Sequence, residues 1–162
     1  MRYGEWNLRD LMAFNIIGQP GVFFRKQALE NAGNLNPEYH YLLDHHLWLR
    51  IARNHRIQHI QDFFAAARFH SEAKNIAQTE GFSQDSFQIV AWLQTDPSFS
   101  KIFVQDKRRI LAGAFRFSAR YLMDGGDNMR AFGHYLKSFF YSPSEVLKEM
   151  PRIAYSILSI LP

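Results

Sequence analysis

The stretch HYLLDHHLWLRIARNH, residues 40–55, sets one carboxylate, Asp44, among four histidines. Imidazoles and carboxylates move protons near neutral pH and ligate divalent metals, so both chemistries are open to this stretch. Spacing separates them. On a helix His40 and Asp44, four apart, share a face, whereas His45 and His46 point elsewhere, and the four imidazoles do not converge on one point. A zinc-protease helix needs two histidines four apart with a glutamate beside the first, a pattern absent here.

Asp44 differs from an ordinary surface acid because Leu43 precedes it and Leu47 and Trp48 follow, which puts it near the apolar side of its helix. Partial desolvation there raises a carboxyl pKa and suits it to general-base work. The competing reading is an acid paired with Arg50 or Arg53, or hydrogen-bonded to a loop, and helical pattern alone favours it. His70, at the end of ARFH, has the same two readings, a satisfied structural histidine being the commoner outcome.

The elements that must hold these residues follow from periodicity and breakers. Residues 6–15 show helical spacing with Asn7 as N-cap, and Gly18, Pro20 and Gly21 make a turn. Residues 22–24 read as a short buried strand. A helix then ends at Ala32, with Gly33 suited to the left-handed position after it. Residues 39–54 form a longer helix with Leu43, Leu47 and Ile51 on one stripe. Residues 56–70 read as strand or hairpin leading to His70. Beyond residues 71–78 the patterns are helical, broken at Asp96-Pro97, at MDGGDN and at Ser142-Pro143, with a helix pair across the Gly-Gly turn and an amphipathic tail.

Composition limits the function classes. At 162 residues, 47% hydrophobic and 21% charged, the chain suits one ordinary globular domain. The absence of cysteine excludes disulfides and thiolate metal sites and makes a reducing compartment the natural home. A net charge of +4 admits nucleotide phosphates, an anionic membrane surface or nucleic acid as partners. The basic residues are scattered, without an aromatic and basic recognition motif, so nucleic acid is not expected. The N-terminus has no continuous apolar signal region, and no apolar run reaches the roughly 18 residues of a spanning helix.

The succession IGQPGVFFRKQALENAGNLNPEYHYLLDHHLWLRIA…ARFH resembles the second half of the catalytic domain of inverting family-two glycosyltransferases of the GT-A fold. The shared features, in order, are a QP-small-aliphatic-F-F-R strand, a helix, a G-x-L-N turn, a D-x-x-L-W-L-R helix and an R-x-H strand end. The resemblance covers residues 15–75. It implies an α+β fragment: the C-terminal half of a GT-A, Rossmann-like α/β domain over residues 1–75, followed by an all-helical extension over residues 76–162.

By that resemblance Asp44 is the catalytic base that deprotonates the acceptor hydroxyl. Gly18, Gln19, Pro20 and Gly21 line the donor-sugar and acceptor pocket, and Arg25 closes the same motif as a substrate contact. Trp48 and Arg50 pack, orient and contact substrate, and His70 helps to hold a divalent metal, Mg or Mn, or the diphosphate. The implied partners are a nucleotide-sugar donor and a glycan or lipid-linked acceptor. The implied place is the cytoplasm, at the inner face of the cell membrane, reached through the amphipathic C-terminal helix. The family's D-x-D pair is missing, since the close aspartates Asp124 and Asp127 fall in a DGGD turn. The resemblance therefore implies a portion of a longer enzyme, inactive alone. The alternative is a non-catalytic helical interaction module that carries a glycosyltransferase remnant.

Overall fold

Asn7 starts the first helix, α1 (Leu8–Met12). Its side-chain oxygen accepts from the main-chain N–H of Arg9 at 2.8 Å and of Asp10 at 3.2 Å, and the Asp10 carboxylate accepts from the Asn7 N–H at 3.0 Å. This reciprocal box satisfies donors that a helix start leaves open. The structure is a computed structural model that describes residues 5–66 and 78–158. Just past α1, Phe14 has φ +58, a costly backbone for a bulky residue. Its ring is buried against His45 at 5.5 Å and Phe117 at 5.8 Å. Arg116 Nη2 fixes the same corner by donating to the Ala13 carbonyl at 3.2 Å and to Asn15 Oδ1 at 3.3 Å.

A 3-10 turn (Gln19–Gly21) leads to α2 (Lys26–Ala32), which ends at Gly33 with φ +79, as the sequence predicts. The third helix, α3 (Leu43–Asn54), begins later than the expected residue 39 because its start is not set locally. No side chain of its own caps it. The N–H groups of Tyr41 and Leu42 instead donate to Asp85 Oδ2, at 2.7 and 3.0 Å, and Asp85 belongs to α4 (Thr79–Thr95).

The helical half follows as expected. Asp96-Pro97 ends α4, and α5 (Ser100–Asp124) runs to the Gly125-Gly126 turn with one non-helical residue, Asp106, inside it. Asp127 caps α6 (Asn128–Tyr141) by accepting from the Arg130 N–H at 3.1 Å. Pro143 opens α7 (Pro143–Val146), and a 3-10 turn (Leu147–Glu149) joins it to the amphipathic α8 (Met150–Leu158).

One apolar cluster joins the two halves of the chain: Leu11, Met12, Leu47, Trp48 and Leu49 pack with Ile89, Leu93, Phe103, Ile110 and Phe117. A close approach is at Gly113 of α5, where a Cβ would collide with the Ala13 carbonyl. A smaller cluster of Ala119, Tyr135 and Val146 seats α7 and α8 on the α5–α6 pair.

The expected α+β, Rossmann-like GT-A fragment is not found. Among the described residues there is no strand and no sheet, and the architecture is all-helical. Val22 (φ −101, ψ 128) and His55 (φ −130, ψ 143) are extended, but among the described residues neither the 22–24 nor the 56–66 stretch is part of a strand. A strand is stabilised by a neighbour that takes its main-chain N–H and C=O groups, and although Phe23 meets Phe64 edge-on at 5.6 Å, no ladder forms among the described residues. His70, where the second stretch was expected to end, lies outside the described residues. No helix among the described residues is long and apolar enough to cross a membrane.

Candidate functional site

Asp44 is the second residue of α3, in the turn where the helix dipole favours an anion. One carboxylate oxygen, Oδ1, accepts from the His45 N–H at 2.7 Å. Neither arginine named as its alternative partner reaches it. Arg50 donates through Nη1 to the Ala32 carbonyl at 2.7 Å and through Nη2 to the Asn34 carbonyl at 2.6 Å, and so clamps the Gly33 turn. Arg53 donates to the Ser98 carbonyl at 2.9 Å. Burial pushes the Asp44 carboxyl up, with main-chain hydrogen bonding from His45 and from Asp44 itself opposing.

The carboxylate opens into a cleft of about 510 Å³. Gln19 and Asn34 supply amides to its lining, and Phe24, Leu47 and Trp48 supply apolar walls. The Phe24 ring leans on Trp48 at 5.7 Å, so the indole face is part of a built wall. Polar groups against an aromatic surface beside one carboxylate can hold a polyhydroxylated ligand and take a proton from it. Tyr121 of α5 lies within electrostatic reach of Asp44. Burial, with Arg120 opposing and then Asp124 and Asp44 adding, pushes its phenol up to about 12, so it stays neutral.

Of the residues expected at the site, Asp44, Gln19 and Trp48 come together. Gly18 and Pro20 belong to the turn that carries Gln19, but their side of it does not line the cleft, and Gly21 is open to solvent. Arg25 is exposed at the start of α2, and Arg50 is spent on the two carbonyls. The histidines of the opening stretch part company, as their spacing predicts. His40 is exposed. His45 is wholly buried, and His46 is stacked on Tyr39 at 4.4 Å with the edge of Trp92 at 4.3 Å.

His70, which the resemblance gives to a divalent metal, lies outside the described residues. Among the described residues no three His, Cys, Asp or Glu side chains are placed to hold a metal ion, and the cleft offers one carboxylate with two amides.

Sequence reasoning missed three contributors. Asp85 positions the start of α3 from forty residues downstream, and nothing in its local pattern announces a cap for another helix. Asn34 and Phe24 reach the cleft only through the fold of the α2–α3 connection. In the helical half, Ser83 Oγ, Ser118 Oγ and His134 Nδ1 form a chain at 2.5 and 2.9 Å that ties α4, α5 and α6. Ser118 is fully buried, which makes the chain a structural tie without access for a substrate.

Over the described residues the chain is all-helical and carries an aromatic-walled cleft lined by one carboxylate. No protein family, curated protein or solved structure matches the chain.

Proposed function

We propose that the chain is the acceptor-side portion of an inverting glycosyltransferase, with Asp44 as its general base. The observation that carries this reading is Asp44 itself: without an ion pair among the described residues, raised in pKa by burial, and lining a cleft with Gln19 and Trp48. The acceptor hydroxyl gives its proton to Asp44 while its oxygen attacks the anomeric carbon, and the nucleoside diphosphate leaves with the bonding pair from the opposite face. Trp48 gives the sugar an apolar face to lie on, and Gln19 and Asn34 offer amides to its hydroxyls. Charge developing on the leaving diphosphate falls to a donor-binding unit with a D-x-D pair, which this chain lacks.

The test is transfer from a panel of nucleotide sugars to oligosaccharide and lipid-linked acceptors, with a D-x-D-bearing domain supplied in trans. Asp44→Asn should lower kcat by about 10² to 10⁴ with KM little changed. Undiminished transfer by Asp44→Asn removes Asp44 as the base.

A second reading has its own observation. Leu136, Phe139, Leu147 and Met150 line an apolar groove of about 110 Å³ between α6 and the C-terminal helices, and Phe140 and Leu158 are exposed nearby. A non-catalytic interaction role, or contact with the inner face of the cell membrane, would use this face. Phe140→Asp should then abolish co-sedimentation with anionic vesicles or with a protein partner and leave Asp44-dependent transfer intact.

A further inference from the structure

The C-terminal half of α6 carries an exposed apolar face with a basic rim. Leu136, Phe139, Leu147 and Met150 line the shallow groove between α6 and the segment that follows it, and Phe140 projects beside them, 75% exposed. At the same end Arg108 of α5 donates through Nε to the Tyr141 carbonyl at 3.0 Å and through Nη2 to the Phe140 carbonyl at 3.1 Å. Val104, one turn before Arg108 on α5, is also 75% exposed. Lys137 Nζ lies 5.4 Å over the Phe115 ring, which stacks on Tyr141 at 5.8 Å, and Lys107 is exposed next to Arg108.

The charge of this face is one-sided because the acids around it turn away. Between residues 128 and 158 the acids are Glu145 and Glu149. Glu145 is buried against Arg109 at 3.1 Å, and Glu149 sits among Arg116, Arg120 and Arg152 at 4.0, 3.8 and 3.7 Å. On α5, Asp106 is held by Arg9 of α1. Asp124 and Asp127 lie at the opposite end of the α5–α6 hairpin, with Arg152 and Arg130. Lys107, Arg108 and Lys137 make no ion pair among the described residues.

This charge pattern selects the partner. A two-fold pairing of copies through the face would set the basic rim against itself, since an isologous interface meets its own patch. A peptide helix is received by a groove that takes its side chains, whereas Phe140 and Val104, the most exposed apolar groups, stand outside the groove lining. An anionic lipid surface fits both halves of the pattern: projecting apolar groups enter the acyl boundary while the cations meet the phosphates.

We infer that the chain docks on anionic lipid through the α5–α6 end, with Phe140 and Val104 inserted and Lys107, Arg108 and Lys137 at the headgroups. The inference rests on the second reading above, to which it gives a partner, and does not involve Asp44.

The experiment is co-sedimentation of the full chain with vesicles of phosphatidylcholine alone and of equal parts phosphatidylcholine and phosphatidylglycerol, with sedimentation equilibrium of each variant in the absence of lipid. The variants are Phe140→Asp, the Lys107→Glu and Lys137→Glu pair, Asp44→Asn, and Phe63→Asp, a fully exposed ring outside the face. Far-UV circular dichroism checks that each keeps its helices. Wild type should bind the anionic vesicles and not the neutral ones. Phe140→Asp and the lysine pair should each weaken binding by roughly tenfold or more, and Phe63→Asp and Asp44→Asn should bind as wild type does. Equal binding to both vesicles, full binding by the lysine pair, or binding kept in Phe140→Asp but lost in Phe63→Asp would each overturn the inference. No vesicle binding together with self-association that Phe140→Asp removes would overturn the lipid partner and keep the face as an interaction surface. Neither binding nor self-association would remove both.

Discussion

His45 and His46 hold all four ring nitrogens buried without a well-formed hydrogen bond. Burial pushes His45 down to about 3, with a Leu11 main-chain contact opposing, and pushes His46 down to about 4, with Arg50 adding and Asp96 opposing. Both folded values lie below the ordinary 6.5, so the unfolded chain binds the extra protons. Their contribution is therefore fully present above about pH 6.5 and declines as pH falls toward the folded values. The expected loss is about 2 kcal/mol per histidine between pH 7 and pH 5, read from urea midpoints at the two pH values. His45→Leu should flatten the dependence, and an unchanged wild-type midpoint would refute the account. Asp44 has the opposite sign in stability, and under the proposed role as base its raised pKa would shift the acid limb of the pH–rate profile upward. The charge and position of Asp44 were legible from its apolar neighbours. Its freedom from Arg50 and Arg53 was not, because the carbonyls that occupy those guanidiniums are contributed by the Gly33 turn and by residue 98.

Element starts and stops with a local chemical signal could be read in advance: the Asn7 cap, the Gly33 stop, the Asp96-Pro97 break and the MDGGDN break all stand where pattern placed them. The two expected strands could not, because a strand's stability is a property of its neighbour and periodicity reports only its own half of the pair. The start of α3 was missed for a related reason, its cap being tertiary. Asp85→Ala should leave the Tyr41 and Leu42 N–H groups without a partner and cost about 1–3 kcal/mol, seen as a lower thermal midpoint and faster hydrogen exchange at those two amides. Unaltered exchange there would remove Asp85 as the cap. Gly113→Ala forces a methyl against the Ala13 carbonyl at the α1–α5 crossing and should destabilise by about 1–3 kcal/mol, although alanine is the better helix former.

At the scale of the whole molecule the two halves cannot be treated as separable. A chain beginning near Gln78 would strip Ile89, Leu93, Phe103 and Ile110 of Leu11, Met12, Leu47 and Leu49. It should aggregate or lose its dispersed side-chain NMR signals, and a well-dispersed spectrum from it would contradict the shared core. An ion-pair network reinforces the joint, with Arg109 held by Asp10 of α1 at 2.6 Å and by Glu145 of α7 at 3.1 Å. The extent of this joint was hidden in the sequence, where composition shifts near residue 75 and marks a boundary that the packing crosses.

The reach of Asp85 back to residues 41 and 42 also bears on synthesis. A ribosome makes Asp44 long before it makes the residue that sets the start of the helix under it. The carboxylate therefore takes its final place late, once α4 has emerged and closed over the α3 start. A nascent chain stalled before that point would carry every cleft residue and still have no assembled cleft.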